Sequence, residues 1–427
     1  MSLRRLSARS ACLGVALGLI PSCRSTLDSV GCSERNNGFD GGTLLPAGGN
    51  LLPLLGPASY PNAFRDVLGK SDSDIAAKIA NTFNQLFHGN PSTEAIFFTT
   101  GDQAYARDLF HNEIRTEGIG LGMVFSVQLD KREEFDELWR YAKSIQVQTG
   151  PAQGYFPSYC TGASETVEIS CYDPFGIEQI ATALLLARGR WQDAPGTIDY
   201  GQEASSLLDE IRNKEDYNCG VANGVTPPFD TKSKLPYDMP IAASANVSRP
   251  SVVMPAYYDL WRQATGDPFW SQAADAARAY WRASAHPTTG LVPERATFDG
   301  TPVTGSDTFV AECYRTFFNM TLDRVWSGSQ PWMIDESNRV LRFFWEQGIA
   351  TYGQSYSLDG TNEIYTVHDL SLVGANGALA LIATNDNRSD FLDAVWNMET
   401  PTGSSRYYPS LLQLWSLLIL SGQMRVY

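Results

Sequence analysis

The chain has 427 residues, 43% hydrophobic and 19% charged, a balance that supports a buried core and is too apolar for a disordered protein. Its 47 acidic residues outnumber 32 basic ones, and the formal charge of −15 repels phosphate backbones and anionic lipid surfaces. With no dense Lys/Arg stripe to offset this, nucleic acid is excluded as an expected partner. Aromatics reach 11%, and beyond core packing such rings suit a sugar-binding cleft, because pyranose C–H faces pack on them.

Residues 1–25 read as an export signal. Arg4, Arg5 and Arg9 form its positive region, Ala11 to Ile20 its apolar stretch and Pro21-Ser22-Cys23 its cleavage zone. The apolar stretch is too short to span a bilayer. Secretion is therefore expected, with lipid anchoring through Cys23 as the alternative. Residues 26–60, rich in Gly, Pro, Ser and Asn, read as a flexible leader, and 61–427 as one folded domain.

Seven cysteines fall to five or six after processing, in a compartment where disulfides persist. Cys160 and Cys171 are spaced to staple one loop, although spacing alone does not pair them, and a reduced buried Cys313 is equally compatible. Asn246-Val247-Ser248 and Asn387-Arg388-Ser389 are sequons that matter only in a eukaryotic source. No CxxC pair, HExxH, GxxxxGK[ST] or GxSxG occurs, so no metal or cofactor is expected.

The first confident helix starts at the cap Ser71, has Asp72 and Asp74 in its first turn, and lines up Ile75, Ile79, Phe83 and Phe87 before Gly89. The same periodicity recurs at Phe135, Leu138, Trp139 and Ala142, then around Ile177 to Leu184, Ala204 to Ile211 and Ala256 to Trp261. Asp267-Pro268 opens another helix. Further helices fit Tyr314 to Val325, Val340 to Gln347, Leu372 to Ala383, Asp390 to Trp396 and Pro409 to Ser421. The apolar segment Leu411 to Leu420 is about half a bilayer long, which makes it a buried helix and leaves no membrane span. About a dozen helices with few alternating strands and no strict repeat predict an all-α toroid of helical hairpins, with the site in the loops at one end.

Five segments stand out: IAAKIANTFNQLFHG (75–89), EIRTEGIGLGMVFSVQLDKREEFDELWRYAK (113–143), HPTTGLVPERATFDGTP (286–302), EQGIATYGQSYSLDGT (346–361) and the C-terminal run 396–427. They resemble glycoside hydrolase family 8, and within it the enzymes that trim xylo-oligosaccharides at the reducing end. The likeness spans roughly 60–427. It implies an (α/α)6 barrel and hydrolysis of β-1,4-linked sugars with inversion. Such chemistry needs one carboxyl group to protonate the leaving oxygen and another, roughly 6.5–9.5 Å away, to activate water. Glu117, within Arg115-Thr116-Glu117-Gly118, matches the family's proton donor. Burial among apolar residues is expected to favour its protonated form, and the glycines of Gly118-Ile119-Gly120-Leu121-Gly122 are expected to let a sugar approach the backbone.

The resemblance departs in three places. Glu312 stands where the family has the aspartate base, in Glu312-Cys313-Tyr314-Arg315, and Arg315 is the expected partner that keeps it ionised, with Tyr314 beside it. The alternative for Glu312 and Arg315 is an ordinary i,i+3 helix salt bridge. Val252, in Pro250-Ser251-Val252, replaces a tyrosine that helps hold the attacking water. Phe175 takes the place of an aspartate that contacts the distorted sugar ring, unless a loop shift brings Asp173 there. Either the longer Glu312 reaches the water itself in the space vacated at Val252, or hydrolysis has decayed into nonhydrolytic oligosaccharide binding. Endo-acting xylanase, glucanase or chitosanase activity is a third possibility within the family. Substrate contacts are expected from Arg115, Tyr155, Phe156, Tyr352, Tyr356, His368, Arg406, Tyr407 and Tyr408, His368 by blocking an extended chain. A polysaccharide lyase shares the toroid, but the Glu-centred motif disfavours it. The expected partner is an oligosaccharide or polysaccharide, bound by a monomer.

Overall fold

A computed structural model of the chain describes residues 51–149, 152–161, 172, 174–192, 198–217, 227–239, 246–328 and 330–427. The export signal, Cys23, Cys171 and Asp173 lie outside the described residues. In chain order the helices begin with α1 (Ala63–Asp66), α2 (Asp72–His88), α3 (Thr116–Gln128), α4 (Arg132–Ile145) and α5 (Pro174–Trp191). They continue with α6 (Tyr200–Tyr217), α7 (Pro255–Thr265), α8 (Pro268–Ser284) and α9 (Tyr314–Ser327). The last four are α10 (Trp332–Gln347), α11 (Leu370–Ala380), α12 (Arg388–Asn397) and α13 (Tyr407–Leu420).

Two kinds of helix alternate. In α4 only Phe135, Leu138, Trp139 and Ala142 are buried, a single i, i+3, i+4, i+7 stripe. By contrast α11 is buried from Ser371 through Ala380, and α5 from Pro174 through Ala187. A helix buried on every side must be surrounded by protein, and the neighbours confirm it. α3 packs on α5, α5 on α7, α7 on α9, α9 on α11, α11 on α13, and α13 returns to α3. That closed inner ring of six is wrapped by α2, α4, α6, α8, α10 and α12, giving an (α/α)6 barrel. Phe318 of α9 stacks on Trp415 of α13 at 4.6 Å inside the ring, with Phe175 of α5 at 6.1 Å from the same indole.

The predicted caps start their helices: Ser71 accepts from the Asp74 N–H at 3.1 Å, and Asp267 from the Phe269 N–H at 2.8 Å. α13 begins at Tyr407, two residues before Pro409, because a proline in the first turn lacks only an N–H that has no helical acceptor. α10 begins at Trp332, eight residues before Val340, since Met333, Glu336 and Ser337 are buried together with it.

Sequence periodicity did not reveal α3, whose three glycines lower helix propensity. Packing supplies the reason for them. A Cβ at Gly118 would sit 2.5 Å from the Tyr407 hydroxyl, one at Gly120 2.7 Å from the Gln179 Cβ, and one at Gly122 inside the Phe97 ring. The glycines therefore admit α13, α5 and a strand to the helix surface, and do not serve as an approach for sugar.

Nine short strands decorate the helices among the described residues. β1 (Phe97–Thr100), β2 (Gln103–Asp108), β3 (Glu113–Arg115) and β4 (Tyr159–Thr161) form one antiparallel sheet. β5 (Val247–Ser248) pairs with β6 (Ala296–Thr297), and β7 (Thr308–Phe309) with β8 (Ser355–Ser357) and β9 (Glu363–Tyr365). Residues 51–60 carry no regular element yet lie on the barrel, where the Leu52 N–H donates to the Ala264 carbonyl at 2.8 Å and Arg188 donates to the Leu51 carbonyl at 2.6 Å.

One buried ion pair ties an outer helix to the ring, and a second lies within α10. Arg278 of α8 makes a two-pronged bond to the buried Asp323 of α9, at 2.9 and 2.6 Å. Glu336 of α10 is bonded to Arg339 at 2.6 Å, yet burial pushes its pKa up to about 7. Folded protein thus holds a proton that unfolded protein releases between pH 4.5 and about 7, so this group weakens the fold as pH rises through that window. Glu336→Gln is expected to remove on the order of 3 kcal/mol of pH-dependent destabilisation, seen as a higher Tm at pH 8 and little change at pH 4.5.

Candidate active site

The first turns of α3, α5, α9 and α13 meet at one end of the ring, where their contacts gather the acids. The β3 to α3 junction is fixed by pairing of Arg115 with Tyr159 and by the Thr116 hydroxyl donating to the Pro157 carbonyl at 2.5 Å. Glu117 follows in the first turn of α3. Glu312 sits in a one-turn 3-10 helix, Ala311–Cys313, that runs into α9 and is held from α13 by the Tyr408 hydroxyl donating to the Ala311 carbonyl at 3.2 Å. Helix N-termini carry positive partial charge, so these positions favour carboxylates.

Arg315, in the first turn of α9, joins the two acids. Its Nη1 donates to Glu117 Oε2 at 2.6 Å and its Nη2 to Glu312 Oε2. The terminal nitrogens of a guanidinium lie about 2.3 Å apart by covalent geometry, which places the two bonded oxygens within about 7 Å of each other. The Phe175 ring covers the guanidinium at 4.5 Å, a cation–π contact that puts an apolar face over the charge. The Tyr407 hydroxyl donates to Glu117 Oε1 at 3.4 Å. Glu117 is thus surrounded by charged and polar groups, in contrast to the apolar pocket expected.

The Arg315 charge beside Glu312 holds that carboxyl below the usual glutamate range. Burial opposes the shift, while Arg249, Arg115 and Arg295 add to it. The Glu312 side chain keeps 44% of its surface open, so it is not sealed in its ion pair. Arg115 lies at the rim, paired with Glu113 at 2.6 Å and with Asp108 at 3.3 Å. Asp108, His111 and Glu113 bring ligand atoms within 4.8 Å of one another, the one grouping among the described residues with the chemistry to hold a cation. The guanidinium of Arg115 already balances both carboxylates.

Several expected contacts are structural instead. Arg406 is 1% exposed and donates to the carbonyls of Ala95, Ser92, Pro91 and Gly403, so it clamps a loop and reaches no sugar. Tyr155 is buried against Tyr172 at 5.0 Å and beneath Lys214 at 4.7 Å, and Phe156 beside it is fully buried. Tyr314 is buried with its hydroxyl on the Gln354 carbonyl at 2.6 Å, which fixes the β8 side of the site without facing it. Tyr352 and Tyr356 are buried under α10, with Phe344 at 5.1 and 5.9 Å. His368 differs from these: it is only half-buried, one residue before the cap of α11, and its Nδ1 donates to the Tyr352 carbonyl at 2.9 Å, which orients the ring. Val252 is also buried, so the open space expected beside it is filled.

Sequence reasoning missed Arg249 and Asp238. Arg249 Nη1 is 3.6 Å from Glu312 Oε2 and its Nε is ion-paired with Asp238, whose other oxygen meets Arg295 Nε at 3.0 Å. An isolated arginine before a proline reads as surface, and nothing in the pattern pointed to it.

The sequence profile of Glycosyl hydrolases family 8 matches residues 97–422. The chain belongs to this family. As a family 8 glycoside hydrolase it is 32% identical over 380 residues to the reducing-end xylose-releasing exo-oligoxylanase Rex8A of Paenibacillus barcinonensis, covering 86% of this chain and 97% of that protein. The structure of Rex8A complexed with xylose superposes with a TM-score of 0.80, covering 86% and 98% of the two chains. Endoglucanase A of Acetivibrio thermocellus is 28% identical over 72% of this chain and 61% of its own length. The carbohydrate-directed fold expected from the sequence is therefore shared across xylose-releasing and endo-acting members.

Replacing Arg406 by Met strands buried carbonyls and is expected to cost about 3–5 kcal/mol in urea unfolding while leaving substrate KM within about twofold of the parent.

Proposed function

We propose that this family 8 enzyme hydrolyses β-1,4-linked xylo-oligosaccharides from the reducing end with inversion, Glu117 acting as general acid and Glu312 as general base. The observation that carries this reading is the Arg315 bridge, which sets both carboxyl groups at one end of the ring with Glu312 ionised and partly open. Glu117 donates its proton to the departing glycosidic oxygen as that C–O bond breaks. Glu312 takes a proton from a water that bonds to the anomeric carbon from the opposite face. Arg315 stays charged throughout and balances whichever carboxylate is ionised. The xylose-releasing relatives favour xylo-oligosaccharides, whereas the endoglucanases favour endo-action on longer chains as a second reading.

Xylotetraose and its borohydride-reduced form separate these readings. Exo-action from the reducing end yields xylose and xylotriose from the first and leaves the second uncut. Inversion makes the α-anomer of xylotriose the first product seen by proton NMR. Glu117→Gln and Glu312→Ala are each expected to lower kcat by about 10²–10⁴-fold. Persistence of parental rates in either variant refutes its assignment.

Because Glu312 is held below the usual glutamate value of 4.5, its base form persists as pH falls. The acid limb of kcat/KM should therefore lie below pH 4.5, and rates should drop only as pH passes through that depressed value. A limb at pH 6 would show that another group is the base. We further infer export through residues 1–25 and action as a monomer, checked by the N-terminal sequence of the mature protein and its mass in solution.

A further inference from the structure

Glu312 has one more rotatable bond than an aspartate, and a freely rotating carboxylate is a poor partner for one fixed water. Arg315 restrains it from only three residues away and shares its charge with Glu117. A second restraint comes from a different part of the barrel. Arg249, on the loop before α7, reaches Glu312 Oε2 at 3.6 Å with Nη1. Its Nε is ion-paired with Asp238, 5% exposed, which is paired in turn with Arg295 at 3.0 Å and held by its own N–H on the Val247 carbonyl at 2.9 Å. Pairing of β5 with β6 brings Arg249 and Arg295 to one ladder, so the three side chains form a fixed unit.

Asp238 therefore decides where the guanidinium of Arg249 points. Charges alternate along the chain Asp238, Arg249, Glu312, Arg315 and Glu117, each meeting the next. We infer that Arg249, anchored by Asp238, is the positioning residue that fixes the Glu312 carboxylate toward the attacking water, a task the buried Val252 cannot perform. This rests on Glu312 being the base. The charged and titratable groups facing Glu312 are Arg315 of α9, Arg249, Arg115 of β3, Arg295 before β6 and Tyr408 of α13. Of the four cations, Arg249 alone approaches Glu312 within 4 Å from outside the continuous segment of the 3-10 turn and α9, among the described residues.

The test uses full-length Arg249→Met, Arg249→Lys and Glu312→Ala with xylotetraose across pH. Arg249→Met is expected to lower kcat roughly 10–100-fold with KM within about threefold, and to raise the acid limb by about 0.5–1 pH unit, since a cation that favours the carboxylate is gone. Arg249→Lys keeps the charge but is too compact to hold both carboxylates, so its limb should stay near the parent while kcat still falls. Parental kcat and limb in Arg249→Met, alongside a Glu312→Ala loss of about 10²-fold or more, overturn the role of Arg249 and leave the base assignment standing. Parental activity in Glu312→Ala overturns the base assignment itself. Should Arg249→Met fail to fold by circular dichroism, parental kcat in Arg249→Lys overturns the inference.

Discussion

A single guanidinium decides how the reactive end of this barrel is arranged. Two carboxylates brought close together repel one another, and a cation between them relieves that repulsion while fixing their separation. Arg315 meets Glu117 on one side and Glu312 on the other, beneath the Phe175 ring. It can do so because α3, α5 and α9 all present their first turns at the same end. Displacing any of those three helices would part the acids.

The ring in turn depends on close helix contacts. Gly118, Gly120 and Gly122 give up helix propensity so that Tyr407, Gln179 and Phe97 can approach α3. Tyr407 then serves twice, filling the space over Gly118 and donating to Glu117. Hydrogen bonds inside the apolar ring hold its register, as where the Tyr257 hydroxyl meets Gln179 at 2.7 Å and the Trp261 indole meets Thr182 at 2.9 Å. Packing and site geometry are thus carried by the same side chains.

Several side chains at this end take on meaning only as neighbours. Phe175 supplies a face for Arg315, and Val252 is buried. Arg249, three residues before Val252 on the same loop, is the side chain there that reaches toward Glu312. A second guanidinium thus stands beside that carboxylate.

The outer helices were legible in the sequence because a half-buried helix must repeat its apolar residues every three to four positions, as Phe135, Leu138, Trp139 and Ala142 do. Caps such as Ser71 and Asp267 were legible for the same local reason. Glu117, Glu312 and Arg315 could be named from motif resemblance, since they fall at the starts of segments whose pattern is local. Tertiary structure alone decided that α3 is a helix, that Arg406 and Tyr155 belong to packing, and that Arg249, paired with Asp238, reaches Glu312. Periodicity records which side of an element is buried, whereas an ion pair across the barrel leaves no mark on the spacing of residues along the chain.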